Sequence, residues 1–181
     1  MELDILTEIV LPPKEPYEAT GSQNWLEVES ALKTSLPRDY KDYINSFGSG
    51  QLGELLWVFN PFASDPRLNL LVQVEQILGM WRSTKAEYGE VECPYPLYPE
   101  PDGLLPWGYL DTGGSLYWQT SGLPEEWIVV LNESRGPKVE RFHETMTGFL
   151  TALLSRNLPS NILPVRALRG RRNVFVPTSE R

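Results

Sequence analysis

The sequence predicts an α+β domain built on a mainly antiparallel sheet, because helices come first, hairpin-linked strands follow, and a helix closes the set. Three observations carry this. Residues 25–50, WLEVESALKTSLPRDYKDYINSFGSG, hold two apolar stripes at helical spacing, separated by Leu36-Pro37. Short apolar runs between Leu105 and Phe142 are separated by turn-forming residues. Phe149, Leu150, Leu153 and Leu154 then recur at helical spacing.

Residues 1–23 read as a leader: apolar residues are mixed with Pro12, Pro13 and Pro16, leaving room for one short element before the paired helices. In the first of that pair, Trp25, Val28 and Leu32 share one face, while Glu27, Glu29 and Lys33 point elsewhere. Pro37 suits the first turn of the second, where a missing N–H costs nothing, and Asp39 brings negative charge to the positive end of the helix dipole. Tyr40, Ile44 and Phe47 form its apolar stripe, and Gly48 stops it.

Leu55 to Phe59 is an apolar run ended by Asn60-Pro61 and suits a buried strand. Val74, Ile77, Leu78 and Trp81 lie at i, i+3, i+4 and i+7, which predicts a third helix from Leu70 to Tyr88. Four prolines make Cys93 to Gly103 a loop. Strands are expected over Leu105 to Leu110, Ser115 to Gln119, Trp127 to Asn132 and Val139 to Phe142, the last reached by a turn at Arg135-Gly136-Pro137. Either Thr145 or Thr147 can cap the final helix. Residues 157–181 turn polar and basic and read as a flexible tail, in which Val174-Phe175-Val176 could add an edge strand.

At 181 residues and 41% hydrophobic composition, the chain can bury a core without metal or disulfide staples. It has no apolar run of the roughly 20 residues a membrane span needs, and MELDILTEIV is acidic where a signal peptide is basic, so a soluble cytoplasmic protein is expected. One Cys and one His, Cys93 and His143, cannot make a Cys/His zinc site. No metal, nucleotide or flavin is expected. Charge is uneven within the net −8: residues 1–156 hold 23 acidic and 11 basic residues, whereas residues 157–181 hold five Arg against Glu180. The body should therefore repel nucleic acid and attract basic partners, although an acidic surface also serves solubility alone.

Trp25, Val28, Glu29, Leu32, Leu36, Pro37, Asp39, Tyr40 and the Gly48-Ser49-Gly50 turn together resemble the opening of the SMI1/KNR4 (SUKH) superfamily, an apolar-x-x-apolar-Glu-x-x-Leu helix followed by Leu-Pro-x-Asp-Tyr. Asn60-Pro61, Leu105-Pro106-Trp107-Gly108 and the Phe142 to Leu154 segment follow the family's order. The likeness covers about residues 24–155, within a domain read as residues 24–156. It implies a SUKH-like fold, an N-terminal helix pair packed on the sheet with a third and a C-terminal helix, and a non-enzymatic protein-binding role. In bacteria such proteins resemble immunity proteins that neutralise secreted toxins, often nucleases; fungal relatives are linked to cell-wall regulation and signalling. The resemblance makes Trp25, Leu36, Pro37, Tyr40, Gly48 and Gly50 fold determinants. Glu29 is open between a contact and an acceptor for free N–H groups at the start of the second helix.

Several motifs suggest other chemistry. Gly48-Ser49-Gly50-Gln51-Leu52-Gly53 matches the dinucleotide fingerprint G-x-G-x-x-G, but a helix precedes it and a strand is expected after Gly53, the reverse of the required order. Asp111-Thr112-Gly113 resembles an aspartic-protease loop, yet that chemistry needs two aspartates and the tripeptide occurs once; a tight hairpin is the plainer reading, with a hydrolase acting through Asp111 as the enzyme alternative. Cys93 and His143 have no family signature for a nucleophile and base. Asn132-Glu133-Ser134 has sequon form, without meaning in a cytoplasmic chain, and Arg169-Gly170-Arg171-Arg172 reads as a solvated run.

The candidate partner surface is the acidic stretch bearing Glu87, Glu90, Glu92, Glu100 and Asp102, opposed nearby only by Lys85 and interleaved with Tyr88, Tyr95 and Tyr98. Carboxylates would steer a basic toxin domain and tyrosines would anchor it. The next candidate is an exposed sheet face carrying whichever of Tyr117 and Trp118 points outward. A regulatory scaffold with an endogenous partner is the alternative to the immunity role.

Overall fold

The computed structural model describes residues 2–19, 24–133, 137–163, 172 and 174–180. Its helices are α1 (Glu2–Ile9), α2 (Trp25–Leu32), α3 (Arg38–Phe47), α4 (Leu70–Tyr88) and α5 (Met146–Leu154). The strands are β1 (Gly50–Leu52), β2 (Leu56–Val58), β3 (Leu104–Leu110), β4 (Ser115–Gln119), β5 (Ile128–Asn132), β6 (Val139–Phe142) and β7 (Phe175–Pro177). They form one sheet in the order β6-β5-β4-β3-β2-β1-β7, with every neighbouring pair antiparallel. The α+β architecture is the one the sequence predicts.

Local chemistry explains the helix ends. The α2 helix stops at Lys33, whose left-handed φ of 59° turns its N–H back to the Glu29 and Ser30 carbonyls. Pro37 stands at the N-cap of α3 and not inside its first turn: its ψ of 139° is extended, and its carbonyl accepts the Lys41 N–H at 3.2 Å. Asn69 caps α4 by accepting from the Leu71 and Val72 N–H groups, and Thr145, not Thr147, caps α5 through the Gly148 N–H at 3.2 Å.

Gly48 ends α3 at a φ of 69° and a ψ of −151°, a region that a side chain strongly disfavours. A Cβ there would lie 2.1 Å from the Tyr17 carbonyl oxygen, which accepts the Ser49 N–H at 2.8 Å. At Gly50 a Cβ would lie 2.3 Å from the Phe175 ring, so this glycine admits β7 to the sheet. The strand after the glycines begins at Gly50, earlier than expected, and the Gly53-Glu54 turn leads on to β2.

Helices and loops cover both faces of the sheet. Leu105, Trp118, Val129 and Phe142 lie opposite one another across β3 to β6 and share one face. There Tyr40 of α3 meets Trp118 edge-on at 5.1 Å, and Phe149 of α5 lies 5.1 Å from Phe142. On the reverse face the Trp81 indole of α4 donates to the Tyr117 hydroxyl at 3.0 Å. Tyr117 and Trp118 are both buried, at 2% and 0% exposure, so neither points outward to solvent as expected. The acyclic alternation of β4 sends one to each face, and each face has its own cover.

The helix pair packs as predicted. Trp25 and Tyr40 are buried, and Trp25 sits edge-on to Tyr40 and Phe62. The leader supplies α1, which packs against α5 and α3. The expected flexible tail differs at its two ends. Leu158, Ile162 and Leu163 pack on the core, where Glu140 accepts from the Asn161 N–H at 2.6 Å. Phe175 to Pro177 forms β7, overlapping the anticipated Val174-Phe175-Val176 run at Phe175 and Val176, and pairs with β1. Arg169, Gly170 and Arg171 lie outside the described residues, as do Ser134, Arg135 and Gly136 of the β5–β6 turn.

Candidate functional site

The acidic segment begins at the exposed end of α4, where Gly89, with a φ of 78°, terminates the helix by donating to the Lys85 carbonyl. Glu87, Glu90, Glu92, Glu100 and Asp102 are all exposed. The Lys85 ammonium lies 3.1 Å from Glu90. That hydrogen bond, with a smaller contribution from Glu100, pushes the lysine pKa up. Arg82 pins the loop by donating to the Tyr98 carbonyl at 2.7 Å.

The tyrosines divide differently from the sequence expectation. Tyr95 is buried; its hydroxyl donates to the Pro137 carbonyl at 2.9 Å and accepts from Asn132 at 3.2 Å. Burial pushes its phenol up to about 12. Tyr98 is half-buried and donates to the Leu32 carbonyl at 2.6 Å, tying the loop to the end of α2. Both hydroxyls satisfy main-chain carbonyls of the fold, so neither tyrosine stands as a free anchor. Tyr88 and Val91, 62% and 78% exposed, are the apolar groups among these carboxylates, and Met80 lies two turns before Tyr88 on α4.

Glu29 accepts from the Leu36 N–H at 2.8 Å and pairs with Lys41 at 2.9 Å, so it satisfies main chain just ahead of α3. Burial pushes its carboxyl up, but these two partners outweigh that and hold it below the usual range.

Asp111 sits in the β3–β4 hairpin, where the Gly113 N–H returns to the Leu110 carbonyl at 2.8 Å. One carboxylate oxygen accepts from Gln51 at 2.5 Å and the other from the Trp57 indole at 2.8 Å. The aspartate thereby ties the hairpin to β1 and β2. Cys93 is buried with its thiol pKa pushed up by burial, which works against a thiolate nucleophile, and His143 is exposed. The glycine run from Gly48 to Gly53 joins a helix to a strand hairpin, without the strand-to-helix order that a pyrophosphate site uses.

One concave feature was not foreseen from the sequence. A cavity of about 570 Å³ opens where the N-termini of α1, α3 and α5 meet the Pro124–Glu126 turn, with Trp118 and Trp127 in its wall. Glu2, Asp4, Asp39, Asp42 and Glu125 border it, against Arg38 as the one lining cation among the described residues. These residues come from chain segments far apart in sequence, and no local spacing announces their assembly.

A protein-family model described as SMI1-KNR4 cell-wall matches residues 22–150. No curated protein and no solved structure matches the chain.

Proposed function

Because the chain belongs to the SMI1-KNR4 cell-wall family, we propose that it is a non-enzymatic protein-binding domain, an immunity protein that neutralises a basic toxin domain such as a nuclease. The observation that carries this reading is the exposed acidic segment from Glu87 to Asp102, on a body bearing 23 acidic and 11 basic residues over positions 1–156. Such a surface accelerates encounter with a cationic active-site face and competes with its phosphate ligand. Tyr88 and Val91 supply apolar area within the charged rim, in the role first given to Tyr95 and Tyr98. The site of action is the cytoplasm; among the described residues no helix is long and apolar enough to cross a membrane.

A regulatory scaffold with an endogenous partner is the second reading, favoured by the cell-wall description of the matching family. The identity of the protein that co-purifies with the tagged chain separates the two. With that partner in hand, neutralising Glu90, Glu92 and Asp102 together should lower the on-rate at low salt and flatten its dependence on ionic strength, leaving the unfolding midpoint in place. Unchanged association would remove the acidic segment from the interface. A partner that is neither basic nor toxic would sink the immunity reading.

A further inference from the structure

The outer edge of β1 is occupied by a segment that sits on it as an extended peptide sits on a receptor. We propose that this edge is a strand-receiving groove for a partner protein, with residues 172–178 of the chain as its resident occupant and competitor; this rests on the protein-binding reading of the domain. The segment it takes from the partner is extended and carries an arginine three residues before a phenylalanine.

The occupant shows what the groove reads. The Val174 carbonyl accepts the Gly53 N–H at 2.8 Å, the Thr178 N–H donates to the Ser49 carbonyl at 3.0 Å, and between them Phe175 to Pro177 pair with Gly50 to Leu52. Main-chain bonds of this kind hold any extended backbone, and side chains select among them. Phe175 takes the space beside Gly50 that a Cβ would fill, and its ring lies 5.2 Å from that of Phe47. At the other end Glu54, in the turn between β1 and β2, pairs with the Arg172 guanidinium at 2.8 Å and accepts the Arg172 N–H at 3.2 Å. An aromatic slot and a carboxylate thus stand three residues apart along the bound strand.

The same contacts make the occupant exchangeable. The groove, from Phe47 to Glu54, lies inside the family-matched residues 22–150, whereas its occupant lies beyond them. The resident strand is three residues long, and Phe175 and Val176 are only partly buried, so little apolar surface retains it. Arg172 is 75% exposed, which leaves its ion pair with Glu54 weak in water. Pro177 lacks an N–H and suits an edge position, so the segment closes the sheet and does not invite a further strand. With 23 acidic and 11 basic residues over positions 1–156, the body also favours a cationic segment arriving from outside. Tethering gives the resident a high effective concentration, so a partner binds by outcompeting it.

The test titrates a fluorescein-labelled peptide of residues 172–179, read by anisotropy, against the full natural chain and against full-length Phe175→Ala and Arg172→Glu variants. The natural chain should bind it saturably, and each variant about tenfold more tightly, because a weakened resident leaves the groove open for a larger fraction of the time. In the Arg172→Glu chain, adding Glu54→Gln should weaken binding about two- to fivefold. A peptide with alanine in place of Phe175 should bind that chain about tenfold more weakly or worse. Arg172 lies at the surface, so its variant keeps the unfolding midpoint and reports on the groove even where Phe175→Ala disturbs the fold. No saturable binding to the natural chain or to Arg172→Glu, or binding indifferent to the peptide's phenylalanine, would overturn the proposal. A concentration-dependent dimer of the natural chain that Phe175→Ala abolishes would overturn the assignment to a partner and give the groove to a second copy. The probe contains no toxin, so its failure leaves the acidic α4 segment and the immunity reading to stand or fall on their own test.

Discussion

The Asp39 carboxylate, in the first turn of α3, accepts both the main-chain N–H and the hydroxyl of Thr147, at 2.8 and 3.1 Å, across a sequence separation of 108 residues. One acidic side chain therefore joins the N-termini of α3 and α5. Its other oxygen accepts the Tyr40 N–H at 2.8 Å, serving α3 itself. Both helix starts have N–H groups that no intrahelical carbonyl reaches, and a shared anion answers both.

Asp39→Ala should cost about 1.5 to 3 kcal/mol in urea unfolding, the range for hydrogen bonds to a charged group. Thr147→Val removes only the hydroxyl bond and should cost about 1 kcal/mol. The double variant should fall short of the sum of the two, since they share one interaction. Strict additivity would show that the link contributes nothing.

Glu29 makes stability depend on acid. Its folded-state pKa is depressed by Leu36 and Lys41, so its contribution is complete above the unfolded value, about 4.3, and is lost as the pH falls through the lower folded value. Unfolding free energies of the protein and of Glu29→Gln should run parallel above about pH 5 and converge below about pH 4. Curves that stay parallel to lower pH would show that the carboxylate is not held by its partners.

Trp25→Ala should cost about 3 to 5 kcal/mol, because it empties a site walled by Tyr40 and Phe62. Trp25→Phe should recover most of that, since the indole N–H has no hydrogen-bond partner to lose among the described residues. Thermal and urea unfolding measure both. A Phe variant as unstable as the Ala variant would mean that shape alone does not account for the site.

Asp111 is the test of the hydrolase alternative. Asp111→Ala frees Gln51 and the Trp57 indole from their shared acceptor and should lower stability by about 1 to 2 kcal/mol. Affinity for a co-purified partner should be unchanged. A peptidase activity present in the natural chain and absent from this variant would reinstate the enzyme reading.

Gly50→Ala should detach β7. Its new methyl group would meet the Phe175 ring, 2.3 Å from the ideal Cβ position. Hydrogen exchange at Val176 should rise in the variant while β4 and β5 stay protected, because the edge strand opens without the centre of the sheet. Protection at Val176 equal to that of the natural chain would show that the ring can yield.

The sequence alone determined the elements whose signals are local. Trp25, Val28 and Leu32, then Tyr40, Ile44 and Phe47, mark the faces of α2 and α3 within a few residues of each other, and the bounds of α4 and β6 follow from spacing and punctuation. The family opening was legible for the same reason, but the part Glu29 plays stayed open between a contact and an acceptor until the fold brought it to the Leu36 N–H and Lys41. Tertiary structure decided whatever depends on distant partners. Strand β7 has only three residues and exists by pairing with β1. Tyr95 is buried because Pro137 and Asn132 take its hydroxyl, and Asp111 is a tie because Gln51 and Trp57 reach it from other strands. The acidic stretch could be read as charge but not as a surface, since only the folded loop turns the Tyr95 and Tyr98 hydroxyls inward to the Pro137 and Leu32 carbonyls and leaves Tyr88 and Val91 exposed among the carboxylates. The tryptophan-walled cavity is the extreme case. Its carboxylates converge from α1, α3 and the Pro124–Glu126 turn, and convergence across such separations leaves no periodicity in the chain for a reader to find.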